Sequence, residues 1–241
     1  MPYVVLDGIE LYFERHGESG EPLVLVHGFT GDMSDWRFQI EAFAPMHRVL
    51  VLDNRGHGRS PAPRDPSAYG IDVMAADVEA LAAHVGFDRY HLVGHSMGGG
   101  IAQEIALRRP HKLLSLTLHD TAYRFNHRPL QLPDNPPLLA PDRQQYVMER
   151  MGRMSSDTLL GCWNALQQWG GTEERLPQLD ARTLIICGER DSALIVDGSR
   201  RLAELIPGAR LCVIEGAAHL PQEEKPEAYN DALRRFLSAA D

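Results

Sequence analysis

Val93-Gly94-His95-Ser96-Met97-Gly98-Gly99-Gly100 is the run from which the rest of the chain is ordered. Tyr90-His91-Leu92-Val93 leads into it as a short β-prone segment rich in apolar groups. Ile101–Arg109 follows, with apolar residues at 101, 102, 105 and 106. That is helical spacing, and Pro110 ends it behind basic residues in the last turn. A G-x-S-x-G pattern between strand and helix predicts a sharp turn that holds a serine hydroxyl out of a sheet. Bulky side chains at 94 and 98 would collide across so tight a turn. Gly99 and Gly100 lie in the first helical turn, where they cost propensity and allow close helix–sheet approach. Three fixed positions recur by chance, and a plain glycine-rich turn with an exposed serine reads the same way. The rest of the chain decides between them.

Outward from this run the same alternation recurs. Tyr3–Leu6 and Glu10–Glu14 flank Asp7-Gly8, a hairpin pair. Pro22–Val26 is a continuous apolar strand ending in His27-Gly28, and His47–Leu52 is another, ending in Asp53-Asn54-Arg55-Gly56-His57-Gly58-Arg59-Ser60. Trp36–Phe43 reads as a helix. Ile71–Val85 reads as an amphipathic one, with Val73, Ala76, Ala80, Leu81 and Ala83 among its apolar positions. Leu113–Leu118, Ala181–Cys187 and Arg210–Ile214 are further strands, and Ile195–Ile206 and Glu223–Leu237 further helices. Strands alternating with helices predict an α/β fold of right-handed βαβ units, with a mostly parallel sheet covered on both faces. Reactive groups in such a sheet belong at the carboxyl ends of the strands. From Thr121 to about Leu179 the pattern changes, which splits the chain into a core, 1–120 and 180–241, and an insert, 121–179.

Composition narrows the class. A length of 241 residues suits one large domain or a domain with an insert, and 44% apolar residues is ordinary for a globular protein. A net charge of −9 argues against a nucleic-acid partner. Cys162, Cys187 and Cys212 are widely spaced, without a C-x-x-C pair, and read as free thiols. Residues 1–10 lack a basic start followed by an apolar stretch, and no run approaches the ~18 apolar residues of a membrane span. A cytoplasmic location with no membrane partner is the expectation. Oligomeric state is not legible.

A serine hydroxyl needs an adjacent general base, usually a histidine whose tautomer a carboxylate fixes. Downstream of Ser96 lie His111, His119, His127 and His219. His219 follows strand 210–214 through Glu215-Gly216-Ala217-Ala218, with Pro221 opening a helix behind it, so it sits on a loop at a strand's carboxyl end. For the acid, strand 183–187 runs into Gly188-Glu189-Arg190-Asp191, and Asp191 is the choice. Glu189 is a near alternative, and Asp120, just after strand 113–118, is the serious rival. An acyl-transfer site also needs two backbone N–H groups for the oxyanion. Met97, after the nucleophile, supplies one, and Phe29 in His27-Gly28-Phe29-Thr30-Gly31 supplies the other. His27 reads as ordering that loop. Asp53, Arg55 and His57 read as loop staples rather than metal ligands, because no second ligand cluster accompanies them.

With these motifs in place the chain resembles the α/β-hydrolase superfamily: HGFTG after the third strand, DNRGHGRS after the fourth, GHSMGG at the elbow, GERD before the late acid and GAAH before the last helix. The resemblance covers 1–120 and 180–241. It implies a sheet of about eight strands and a helical cap inserted after the sixth. It also implies Ser96, Asp191 and His219 as nucleophile, acid and base, with no cofactor and no metal. The small bacterial esterase, enol-lactonase and C–C hydrolase branch is the most similar. Haloalkane dehalogenases and epoxide hydrolases carry aspartate where this chain has Ser96, which argues against both reactions.

The cap slot opens with five prolines in Arg128–Pro141, followed by two helices, Asp142–Met154 and Asp157–Trp169. Their Met and Trp residues either line a pocket or pack the cap onto the core. His95, Tyr123, Met148, Met151, Trp163 and Leu220 are the pocket candidates. Arg143, Arg150 and Arg153 either meet a substrate carboxylate or form a solvated face. The expected function is hydrolysis of a small, partly apolar carboxylic ester through an acyl-enzyme, rising with pH through an apparent pKa of roughly 6–7. The open alternatives are a lactone or C–C bond hydrolase with the same residues, a slow-turnover ligand receptor on the same fold, and a non-catalytic scaffold.

Overall fold

In the computed structural model, which describes residues 2–125 and 136–239, Asp7 and Gly8 both adopt positive φ, 49° and 81°. Such a pair matches the twist of a two-residue hairpin, and it pairs β1 (Tyr3–Leu6) with β2 (Ile9–His16) through Leu6 and Ile9. The remaining strands are β3 (Pro22–Val26), β4 (Arg48–Asp53), β5 (Tyr90–His95), β6 (Leu113–His119), β7 (Thr183–Gly188) and β8 (Arg210–Ile214). They form one eight-stranded sheet in the order β1-β2-β4-β3-β5-β6-β7-β8. β1 and β2 run antiparallel to their neighbours and all other pairs are parallel. The expected α/β-hydrolase fold, an α/β sheet of eight strands, is therefore the observed one.

The central strands bury both faces, and period two sorts their side chains. Val24, Val26, Leu50, Leu52, Leu92, Leu116 and Leu118 pack toward α2 (Ile71–His84) and α3 (Met97–Arg108). Leu23, Leu25, Val49, Val51, Val93 and Ile186 pack on the other side. There they meet Phe43 of α1 (Arg37–Phe43) and Tyr229, Leu233 and Phe236 near the C-terminus. The helix over 71–84 buries Ile71, Met74, Ala75, Val78, Leu81 and Ala82. Ala76 and Ala83, expected among its apolar positions, are exposed. Their neighbours Ala75, Asp77 and Ala82 lie on the buried face instead.

Among the described residues between β6 and β7 lie two α-helices, α4 (Pro141–Arg153) and α5 (Ser156–Gln168), each within a residue or two of its expected bounds. Most of the proline-rich entry, and His127 with it, falls outside the described residues. α6 (Ala193–Leu205) covers β7 and β8. The single helix expected over 223–237 is two, α7 (Pro221–Glu224) and α8 (Pro226–Ser238). Pro226 cannot donate to a continuous helix and forces Lys225 out of the α region, to φ −138° and ψ 57°. Among the described residues no helix is long and apolar enough to cross a membrane.

The register aligns the carboxyl ends of the later strands. Gly94 pairs Leu118, His119 pairs Ile186, and Gly188 pairs Ile214. Strands β5 to β8 therefore end at one level, and the residues just beyond them, Ser96, Asp120, Asp191 and His219, converge on one edge.

Candidate active site

Ser96 caps the N-terminus of α3 with φ 51° and ψ −115°, a conformation that costs a non-glycine residue energy. Close packing around the turn keeps it there. A Cβ at 94 would lie 2.3 Å from the Gly98 carbonyl oxygen, and one at 98 would lie 2.3 Å from that of Val26. One at 99 would strike Thr121 at 2.5 Å. Thr121 in turn donates its hydroxyl to the Ser96 carbonyl at 2.7 Å. The glycines expected to permit the elbow do so through these contacts.

The Ser96 hydroxyl lies 3.1 Å from His219 Nε2. On the far side of the ring, His219 Nδ1 donates to Asp191 Oδ2 at 2.7 Å. A carboxylate can only accept, so Nδ1 carries the proton and Nε2 keeps its lone pair for the serine. Burial acts to lower the His219 pKa, but the Asp191 charge and hydrogen bond, with help from Glu224, raise it above the ordinary 6.5. Burial also acts to raise that of Asp191, yet His219, the hydrogen bond from Asp120 and the Ser192 N–H hold it below the usual carboxylate range.

Asp120, the rival acid, stands behind this pair rather than on the imidazole. It is fully buried, with φ 45°, and its Oδ1 accepts the Gly188 N–H at 2.9 Å. Burial, then the charge of Asp191, push its pKa well up, so it is the protonated member that donates to Asp191. Asp120, Asp191 and His219 place one ligand atom each within 4.8 Å of one another. Their hydrogen bonds already satisfy that set. Glu189 accepts from Gly216 N instead of touching the imidazole.

The loop after β3 packs directly on the serine, since a Cβ at Gly28 would lie 3.0 Å from that of Ser96. Thr30 turns it through φ 61°, and Gly31 N donates to Gly28 O at 3.1 Å. Among the described residues, the Phe29 and Met97 N–H groups have no acceptor. His27 orders this loop as expected. Its Nδ1 bonds the Gly28 carbonyl at 2.8 Å, its Nε2 accepts the Asn54 N–H, and burial lowers its pKa to about 4. Asp53 accepts Met33 N and Arg59 N, while Arg55 makes a two-pronged pair with Asp77. Those residues are staples.

The pocket candidates divide. Tyr123, Trp163 and Leu220 are half-buried. His95 needs correction: its ring is enclosed, stacked on His119 at 4.4 Å, and its Nε2 donates to the His219 carbonyl at 2.9 Å. Met148 and Met151 face outward, with Met148 70% exposed. The reason lies in α4, which buries its arginines instead. Arg143 Nε and Nη2 grip Glu223 and Asp35, and Arg150 Nη1 bonds Asp35 at 2.7 Å. Neither arginine is a solvated cation awaiting substrate; only Arg153 is exposed. A cavity of about 390 Å³ lies beneath α4, lined by Asp32, Asp53, Tyr146 and Arg150 among others, but not by Ser96 or His219.

Sequence reasoning missed the acids that receive α4, namely Asp32, Asp35 and Glu223, and it missed Glu224. Glu224 accepts N–H bonds from Ala218 and Leu220, the two neighbours of His219. Its position five residues after the histidine was a signal, but nothing local distinguishes such a glutamate from a helix-start acid.

Comparison with known proteins agrees with the fold. A family model described as alpha/beta hydrolase fold matches residues 21–154 and 155–226. A Pseudomonas savastanoi protein assigned as the carbamate hydrolase RutD is 32% identical over 247 residues, covering 90% of this chain and 93% of its own. A thermophilic esterase from Thermogutta terrifontis superposes with a TM-score of 0.81 at 27% identity, covering 98% of this chain and 96% of its own. The enol-lactonase of Burkholderia xenovorans LB400 reaches 0.87 at 24% identity, over 99% and 100% of the two chains, a likeness of fold.

Proposed function

The chain belongs to the alpha/beta hydrolase fold family, and on that premise we propose that it hydrolyses small, partly apolar carboxylic esters through an acyl-enzyme on Ser96. The observation that carries the reading is the line Ser96 Oγ, His219 Nε2, His219 Nδ1, Asp191, joined at 3.1 and 2.7 Å. Ser96 attacks the carbonyl as His219 takes its proton, and Asp191 holds the ring and steadies the imidazolium. His219 then returns the proton to the leaving alcohol. A water activated by the same imidazole releases the acid. Phe29 and Met97 N–H groups receive the oxyanion in both steps. Residues 121–179 act as a cap, which α4 fastens to the core through Arg143 and Arg150.

A second reading, cleavage of a carbamate by the same steps through a carbamoylated Ser96, draws support from the relative assigned as a carbamate hydrolase. The test is a panel of p-nitrophenyl esters of graded acyl length, lactones, ring-cleavage diketones and carbamates, run beside Ser96→Ala. The ester reading expects the highest kcat/KM on a short or medium ester and loss of at least about 10³-fold in Ser96→Ala. Higher turnover on a carbamate, lactone or diketone would transfer the substrate assignment. Turnover slower than about one per hour on the whole panel favours the receptor reading, far below the ~1 s⁻¹ floor typical of enzymes.

A further inference from the structure

We infer that Glu224 is a positioning residue for the base, a carboxylate clamp that fixes the backbone of His219 and ties it to the cap. The inference rests on the proposed role of His219.

His219 sits on a loop between β8 and α7, where the backbone has no sheet or helix ladder of its own. A loop base must still be held to a fraction of an ångström, because a misplacement of about 1 Å can cost 10²-fold in rate. Glu224 supplies the missing ladder. Its Oε1 accepts Ala218 N at 3.1 Å and Leu220 N at 3.0 Å, and its Oε2 also lies 3.1 Å from Ala218 N. The N–H groups on either side of the histidine are thereby held by one side chain. From the opposite direction His95 Nε2 donates to the His219 carbonyl at 2.9 Å. The peptide units around the base are gripped at both polarities, while Asp191 grips the ring.

The same carboxylate reaches the cap. Leu138 N, in the extended stretch leading into α4, donates to Glu224 Oε2 at 2.9 Å. Next to it, Glu223 takes Arg143 of α4. Two adjacent acids thus receive the cap, and one of them also holds the base. Hydrogen bonds from N–H donors to an ionised acceptor are among the stronger ones. A cap that lifts away loses its bond to the group that orders His219.

Among the described residues, His219 is faced by Asp191 from the loop after β7, Asp120 from the end of β6, Glu224 from α7, and His95 and His119 from β5 and β6. The two histidines are held neutral by burial and Asp120 is protonated, so Asp191 and Glu224 are the anions that favour the imidazolium.

The test follows the His219 ring by NMR titration in the wild type, Glu224→Gln and Glu224→Ala, beside p-nitrophenyl acetate kinetics and a thermal melt. Glu224→Gln keeps an acceptor oxygen and removes the charge. It is expected to stay folded, to lower the His219 titration midpoint by about half a unit, and to retain most of kcat. Glu224→Ala is expected to lower kcat about ten- to a hundred-fold with KM within about threefold. An unmoved His219 midpoint in both variants, or Glu224→Ala with kcat within twofold of wild type, overturns the clamp. Equal loss of kcat in the two variants overturns it as well. If the wild type cleaves no ester, the functional reading fails, while exchange protection of the Ala218 and Leu220 amides, kept in Glu224→Gln and lost in Glu224→Ala, still decides the clamp.

Discussion

Replacing Gly98 by alanine adds one methyl group where the elbow packs against the end of β3. Its Cβ would lie 2.3 Å from the Val26 carbonyl oxygen and 2.7 Å from that of His27, where ordinary contact begins at 3.4 Å. Both neighbours are backbone, so neither can rotate away. The helix start must retreat from β3 by about 1 Å, or β3 must move with the loop it carries. Overpacking of this kind costs roughly 1–3 kcal/mol. Alanine regains up to ~1 kcal/mol of helix propensity at a helical position. A net loss of about 1–2 kcal/mol, at an m-value of about 2–3 kcal/mol/M, lowers the urea midpoint by about 0.5 M. Activity suffers more than stability, because the retreat separates Ser96 and the Met97 N–H from Phe29. A misplacement of about 1 Å there predicts a fall in kcat near 10²-fold. The assay is urea unfolding followed by tryptophan fluorescence, with p-nitrophenyl acetate kinetics on the same samples. Gly152→Ala in α4 is the control, since nothing lies within 4 Å of its Cβ position. It should gain up to ~1 kcal/mol and keep wild-type kcat. If Gly98→Ala matches the control in both readouts, the contact-based account of the elbow is wrong.

Two further outcomes follow from the electrostatics. Arg143→Met leaves Glu223 and Asp35 buried with one guanidinium fewer and should cost about 3 kcal/mol in urea unfolding at pH 7; a change under about 0.5 kcal/mol would show that α4 is not fastened there. As the proposed base, His219 works only when neutral, and its pKa is raised, so kcat/KM should be lost as pH falls through a limb above 6.5; a limb at or below 6.5 would contradict the Asp191 and Glu224 contribution.

Much of this arrangement was legible because it is written locally. The strand runs at 22–26 and 210–214 coincide with the observed ones, since continuous apolar stretches between turn residues have few other uses. Ser96, Asp191 and His219 each follow a parallel strand, and strand ends in a parallel sheet share one edge. Hence three residues spread over 124 positions could be placed together. What escaped was set by contacts between distant segments. The buried arginines of α4 became visible only once Asp32, Asp35 and Glu223 were in place, and their pull turned Met148 outward. His95 looked like a pocket residue because its neighbour is the serine, yet the turn at Ser96 sends its ring under the sheet edge toward His119. The break at Lys225 was written in Pro226, but the apolar spacing across it spoke for a continuous helix.

Covalent labelling with a fluorophosphonate, followed by peptide mapping, interrogates Ser96 itself, because it needs the activated serine and not the natural substrate. A single adduct is expected on Ser96, absent from Ser96→Ala, and formed at least about 10²-fold more slowly in His219→Gln, which removes the proposed general base. An adduct on another residue, or labelling of Ser96 at an unchanged rate in His219→Gln, would contradict it.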